Sequence, residues 1–447
     1  MPTKIFRLYF FIPLVWRVAG AFLLGIAAGM LCCRIGILWG EEILMRIIAV
    51  ISPFGTVLIA MLKMVVIPII FFSLVTGAAS LPVKKFGRLG LSVIGWYFLT
   101  SVFAGIFGIF LAIVMNPAME NARKFSEKYL PQVSGMKMNH SASGGFSGFI
   151  NNLFVNPFQA LAEGQFLPII LFSILFGLAV RIVMEQYGED SRQGKSMEHL
   201  LDLFDAAQKA SFKITDWVME YFPVGVFALT TVNFALYGPD LIGPYLRIAG
   251  SVAAGVLAMI FLIYPLLLFL FCRENPYRIL NRIREPVITA FLTRSSAATL
   301  PVSFRTAKEK LHIKDQLSSF ALPLGATINM DGVCIHLPVF AILAANVFDI
   351  SLNATQLVML LVSVVFASVG AGGIPGGSVF LLFMVLTNLG LNDAQVATIV
   401  ALAIGINPLL DMFETACNVT GDNLCNYIVG KRGGMLEKPD LRTENGE

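Results

Sequence analysis

Asp411, Thr415, Asn418 and Asp422 follow one another at intervals of four, three and four residues inside an otherwise apolar run. On a helix that spacing puts all four on one face. Charged side chains at bilayer depth are costly, and by default they mark a substrate or ion pathway. Glu414 lies in the same segment, Asp331 adds a fourth acid further upstream, and Arg294 is the main base available to meet them. Carboxylates are therefore in excess. A buried carboxylate without a partner either protonates or binds a cation, because desolvation disfavours its bare charge. Asn329, Asn418, Thr327, Thr415, Ser368 and freed backbone carbonyls supply the oxygens that a hard monovalent cation needs. No cluster of His or Cys favours a transition metal. The residues point to sodium or protons, with potassium open.

Other chemistries fit less well. The glycine run at 370–377 lacks the Gly-Lys-Ser/Thr of a phosphate-binding loop, and both its flanks are apolar. Arg294-Ser295-Ser296 could form a catalytic serine pair, but none of the four histidines lies in a motif with it and no lysine base is in view. Hydrolase chemistry is not expected, and neither is any other enzyme activity. A single buried Asp can also be a plain helix-to-helix hydrogen bond; two on one face argue for more.

The elements that must position these groups are membrane helices. Of 447 residues, 57% are hydrophobic and 13% charged, with a mean hydropathy of +0.78. That is too apolar for a soluble protein. Runs long enough to cross a bilayer recur at 18–33, 50–81, 91–115, 167–183 and 248–272. Basic clusters at Lys4 and Arg7, at Lys84, Lys85 and Arg88, at 273–284, at 305–314 and at Lys431 and Arg432 assign those segments and both termini to the cytoplasm. The polar insertion 116–147 is then external; it carries Arg123, Lys124, Lys128 and Lys137, and an Asn139-His140-Ser141 sequon whose modification is left open. The basic, apolar N-terminus reads as a retained first helix, since no clean cleavage site comes after it. The six cysteines read as packing residues without metal-type spacing. A net charge of +4 on so apolar a chain reflects topology and implies no nucleic-acid partner.

After about residue 275 the pattern changes. Two apolar segments are each interrupted by small polar residues, at 293–301 and 367–378, and a third interruption runs from Gly325 to Gly332 around Asn329 and Asp331. Backbone freed at membrane depth is tolerated only where protein or a water-filled cavity satisfies it. Two such breaks, each followed by a longer helix, suggest re-entrant hairpins in an internal repeat with a binding site near the midplane.

Five stretches carry a resemblance: Met61-Leu-Lys-Met-Val-Val-Ile-Pro68, the Arg294-Ser-Ser tip, Asn329-Met-Asp-Gly332, Gly373-Ile-Pro-Gly376 and Asn418-Val-Thr-Gly-Asp422. Taken together, they make the chain resemble the sodium:dicarboxylate (glutamate and neutral amino-acid) symporter family from about residue 58 to 431. The resemblance implies an all-α integral membrane protein with eight transmembrane helices and two re-entrant helical hairpins, an inverted-repeat transporter of elevator type in a homotrimer within the cell membrane. Scaffold helices 1 and 2 would occupy 1–90, transport-domain helix 3 91–115, and the external loop with scaffold helices 4 and 5 116–240. The rest of the transport domain would fill 241–432, and 433–447 would be a cytoplasmic tail.

By the same resemblance, Asp411 would take a substrate α-ammonium, Ser296 and Asn418 its α-carboxylate, and Arg294 and Ile374 would offer backbone carbonyls, with Ser295 and Thr415 beside them. One sodium site would use Asp422, Asn329, Asn418 and the Gly325 carbonyl. A second would use Asp331 and Asn329 with Tyr97, Thr100 and Ser101, and a third the carbonyls of Thr327, Ser368, Val369 and Ala371 beside Met330. The Gly373–Gly376 turn would be the lid.

The departures from the family pattern bear on the substrate. Where members that carry acidic substrates have arginine and threonine, this chain has Glu414 and Val333, and Asn407 replaces an aspartate. Arginine grips a carboxylate with two parallel hydrogen bonds. Two like charges at ~4 Å and an effective dielectric near ~20 instead cost about 4 kcal/mol. The expected function is sodium-coupled import of an amino acid, neutral or cationic, in a pocket completed by Val333, Glu414 and Ser378. The alternative is an acidic amino-acid or dicarboxylate symporter with sodium or proton coupling; from another class, a ligand-gated channel or a non-transporting sensor.

Overall fold

The computed structural model describes residues 12–79, 83–115, 154–188, 191–369 and 376–437. Among these, regular structure is helical, apart from one isolated antiparallel bridge between Ile313 and Leu436. The expectations placed on both termini, the 116–147 insertion with Asn139, the lid turn, Ala371 and Ile374 lie outside the described residues.

The first half forms long helices, α1 (Leu14–Trp39), α2 (Glu41–Ala79), α3 (Val83–Met115), the short α4 (Pro157–Glu163), α5 (Phe166–Tyr187) and α6 (Arg192–Tyr237). Among the described residues, seven helical stretches are long and apolar enough to cross a membrane, the longest being Arg192–Cys272. That stretch is not one rod. Gly238, at φ +57°, ends α6 and opens a 3-10 turn over Gly238–Leu241, after which the chain continues as α7 (Ile242–Ala258). Helices α1 and α2 pack along α6, and α2 also packs on α5.

A π-turn at Met259–Ile263 joins α7 to α8 (Tyr264–Cys272). Such turns insert an extra residue into the helical register and re-aim the side chains beyond them. Tyr264 is the first residue beyond this turn, and its hydroxyl reaches the buried carboxylate of Asp331. After α9 (Pro276–Arg282), α10 (Arg284–Thr293) and α11 (Ser296–Glu309) form the first hairpin, and α14 (Ala354–Val369) and α15 (Gly377–Asn388) are the arms of the second interrupted segment. Between them stand α12 (Asp315–Ile328) and α13 (Asp331–Val347), and α16 (Asp393–Arg432) closes the fold.

The interruptions are narrower than the sequence implies. In the first hairpin only Arg294 and Ser295 leave the helix, and Pro301 sits within α11, where the chain has already resumed its helix. Between α12 and α13 only Asn329 and Met330 do so.

Burial separates the elements. The apolar window of α12 and α13 is 94% buried and that of α1 17%. Leu23, Leu24, Leu31, Leu38 and Trp39 of α1 are exposed. By this burial α1 lies at the periphery of the chain and α13 in its interior, and so apolar an exposed face suits an apolar surrounding. Helix α16 packs on α10, α12, α13 and α15, and α13 packs on α3. The polar face of α16 therefore meets both hairpins and the α12–α13 break.

Candidate functional site

The groups gather around α16. Arg294, Ser296, Met330, Val333, Gly377, Ser378, Asp411, Glu414, Thr415 and Asn418 line one small, tight cavity. Eight of the ten residues expected to contact substrate are in that set. Ser295 is placed differently: its hydroxyl caps α11 by accepting from Ala298 N at 3.2 Å. Ile374 falls outside the described residues.

Local backbone explains how these side chains converge. Arg294 ends α10 in the left-handed region at φ +55°, a conformation costing a non-glycine residue about 1–3 kcal/mol. It turns the chain sharply enough for α11 to begin at Ser296. The Arg294 guanidinium then lies with Nη1 3.9 Å from Asp411 Oδ2, and Gly376 N donates to the same oxygen at 3.0 Å. Both arms of broken structure thus meet at one carboxylate. Thr415 is spent locally, donating to Asp411 O at 2.7 Å.

The α12–α13 break frees backbone N–H groups at the start of α13. One of them, Gly332 N, donates to Asn418 Oδ1 at 2.7 Å, while Asn418 Nδ2 points at Met330 Sδ, 3.1 Å away. A Cβ on Gly332 would lie 2.5 Å from the Glu414 carbonyl oxygen, so only glycine lets α13 start this close to α16. Ser378 Oγ donates to Asn407 Oδ1 at 3.1 Å. The asparagine in place of the expected aspartate therefore serves the second hairpin.

Deeper along the same face lies a second polar group. Asn329 Nδ2 donates to Asp422 Oδ1 at 3.0 Å, and Thr100 Oγ1 to Asn329 Oδ1 at 3.3 Å. Asp331 accepts from Ser101 Oγ at 3.0 Å and from the Tyr264 hydroxyl at 2.6 Å. Tyr97 donates to Ala321 O at 2.8 Å. A Cβ on Gly325 would collide with Asp422 Oδ1 and reach 2.6 Å from the Tyr97 hydroxyl, which ties that glycine to the group. Asn329 and Asp331 are fully buried and Asp422 nearly so. Three carboxylate-and-amide residues with hydroxyls around them form a hard-oxygen donor set, of the kind monovalent and other hard cations take. Ser368 and Val369 lie at the C-terminal end of α14, and Thr327 in the last turn of α12, both places where helix carbonyls go unpaired.

Two residues of the site escaped the sequence reading. Tyr264 is an aromatic in an apolar run, and only the π-turn before it signals its direction. His336 lies fully buried on α13 with Nδ1 2.5 Å from Glu414 Oε1.

Residues 14–432 match the sodium:dicarboxylate symporter family. The chain is 30% identical over 432 residues to a proton/sodium-glutamate symport protein of Bacillus caldotenax, covering 96% of each chain. It is 31% identical to the neutral amino acid transporter B(0) of Bos taurus over 88% of this chain and 74% of that one. With the human excitatory amino acid transporter 3 it shares 28% over 87% and 81%.

Proposed function

The chain belongs to the sodium:dicarboxylate symporter family and is a multi-pass membrane symporter, not an enzyme; from that premise we propose that it imports a neutral or cationic amino acid with sodium, by an elevator movement. The observation that carries this reading is Glu414, which lines the cavity beside Asp411 where acid-carrying members have arginine.

Asp411 offers the substrate ammonium a carboxylate oxygen, already held by Gly376 N and near Arg294. A desolvated ion pair of this kind is strong when it is also hydrogen-bonded. Asn418 Nδ2 has only a thioether facing it, a poor acceptor, so it is available for the α-carboxylate together with the Ser296 hydroxyl. An acidic side chain would find Glu414 there in place of a cation to pair with. Relatives named for glutamate and for neutral amino acids are both similar to this chain, and Glu414 supports the second kind.

Sodium ions would be held by Asp422 with Asn329, Asn418 and the Gly325 carbonyl. A second set is Asp331 and Asn329 with Tyr97, Thr100 and Ser101; a third comprises the carbonyls of Thr327, Ser368 and Val369 near Met330. Asn418 belongs to both ion and substrate sets, and Gly332 ties it to the break that carries Asn329 and Asp331. Ordering this network with an ion preorganises the substrate pocket, so the two bindings strengthen each other. The elevator reading is supported by packing: α3 and α13 pack closely on each other, and α1, α2, α5 and α6 pack closely among themselves, with lighter contacts between the two groups. The first group would move against the second, in a homotrimer with cytoplasmic termini.

Uptake of a labelled amino-acid panel into proteoliposomes tests this reading, with sodium, proton and potassium gradients imposed separately. Accumulation of neutral or cationic amino acids driven by inward sodium is expected. Accumulation of aspartate or glutamate in preference, or accumulation indifferent to sodium, overturns it.

A further inference from the structure

Glu414 alone would be a bare carboxylate asking the substrate for a cation, but the chain supplies a partner of its own. His336 Nδ1 stands 2.5 Å from Glu414 Oε1, and both side chains are shut off from solvent. His336 lies one helical turn past the cavity residue Val333, and its ring stacks on Phe340 with centroids 4.8 Å apart at 27°. The ring plane is thereby fixed. Each partner keeps one polar atom with no hydrogen bond, His336 Nε2 and Glu414 Oε2. Unmet polar atoms in a dry interior are unfavourable, and Glu414 borders the cavity.

The pairing changes which substrates suit the site. A pair that holds two protons, one on Nε2 and one in the Nδ1–Oε1 contact, would be neutral both as imidazolium with carboxylate and as imidazole with carboxylic acid. Across the cavity, Arg294 and Asp411 offset one another. A lysine or arginine side chain would then bury an uncompensated positive charge, and an aspartate a negative one. An uncharged donor would instead meet the open Oε2.

We propose that His336 and Glu414 act as one neutral hydrogen-bonding unit that selects amino acids with an uncharged hydroxyl or amide side chain over cationic, acidic and purely aliphatic ones. His336 works through Glu414 and is a positioning residue. The inference rests on the amino-acid reading of the cavity and narrows it.

The test measures sodium-driven uptake of serine, threonine, asparagine, glutamine, alanine, valine, lysine and aspartate by reconstituted wild type, His336→Leu, His336→Gln and Glu414→Gln proteins. In the wild type, kcat/KM for serine or asparagine should exceed that for alanine, valine or lysine by about tenfold, the worth of one hydrogen bond in a dry site. His336→Leu strips Glu414 of its partner, so the serine-to-lysine ratio should fall, through KM, with the sodium dependence unchanged. His336→Gln returns a donor and should recover part of the ratio. Glu414→Gln keeps the unit uncharged and should keep the preference for hydroxyl and amide substrates even if the His336→Leu protein does not fold. Lysine carried by the wild type as well as serine overturns the inference, as does a uniform loss for all substrates in the His336 variants with Glu414→Gln abolishing the preference. Wild type that accumulates no amino acid fails the amino-acid reading itself, a distinct outcome.

Discussion

At the scale of single residues, the proposed function makes Asp411 and Glu414 divide the work of recognition. Replacing Asp411 by Asn would remove the carboxylate proposed to meet the ammonium group, and loss of one partner from a buried pair costs about 3–5 kcal/mol. Substrate affinity, read by competition binding on purified protein, is expected to drop by about two to three and a half powers of ten. Glu414→Arg should turn selectivity toward aspartate and glutamate in an uptake panel. An unchanged profile would remove Glu414 from recognition. Asp411, Thr415, Asn418 and Asp422 were legible in the sequence because polar side chains at helical spacing stand out in an apolar run. His336 was not legible: a lone histidine on a helix buried on every side looks the same as any satisfied core histidine until its partner, 78 positions away, is brought to it.

At the scale of elements, irregular backbone positions the site. Tyr264 reaches Asp331 because a π-turn precedes it, so Tyr264→Phe deletes a hydrogen bond to a carboxylate worth about 1.5–3 kcal/mol. Half-saturating sodium is expected to rise at least about tenfold, with the order of substrate preference unchanged. If sodium dependence stays as in the wild type, Asp331 is not an ion ligand. The existence of the breaks could be read from the sequence, since glycine, proline and serine interrupt apolar runs. Their extent could not, because Pro301 and Gly332 are tolerated inside or at the start of helices whose freed groups find partners, as Gly332 N does on Asn418. Likewise, Ser295 was expected in the pocket, yet a serine just before a helix is equally a cap.

At the scale of the molecule, an apolar exterior and an apolar core surround a small polar centre, and the ends of the helices are fastened at the surface. The turn after α8 holds α16 through Glu274, which receives Lys431 Nζ at 2.5 Å and the Tyr427 hydroxyl at 2.6 Å. Partial burial works against the charge of Glu274, but these two partners outweigh it and hold its carboxyl below the ordinary range. A lowered folded value contributes stability that is present above the unfolded carboxylate pKa of about 4.3 and is lost as pH falls through the folded one. Melting temperature in detergent should therefore decline on acidification into that window more steeply for wild type than for Glu274→Gln. The membrane class and the helical fold were evident from composition alone. How α3 joins α13 was not, because such pairing depends on packing between segments far apart in the chain.

In the proposed mechanism, ion and amino acid share one network through Asn418, and reciprocal binding is the sharpest check of that coupling. Substrate Kd is measured with and without sodium, and sodium Kd with and without substrate, on the purified protein. Sodium should tighten substrate binding, and substrate should tighten sodium binding by the same factor, with Asp422→Asn reducing both. Substrate affinity that is identical with and without sodium would contradict it.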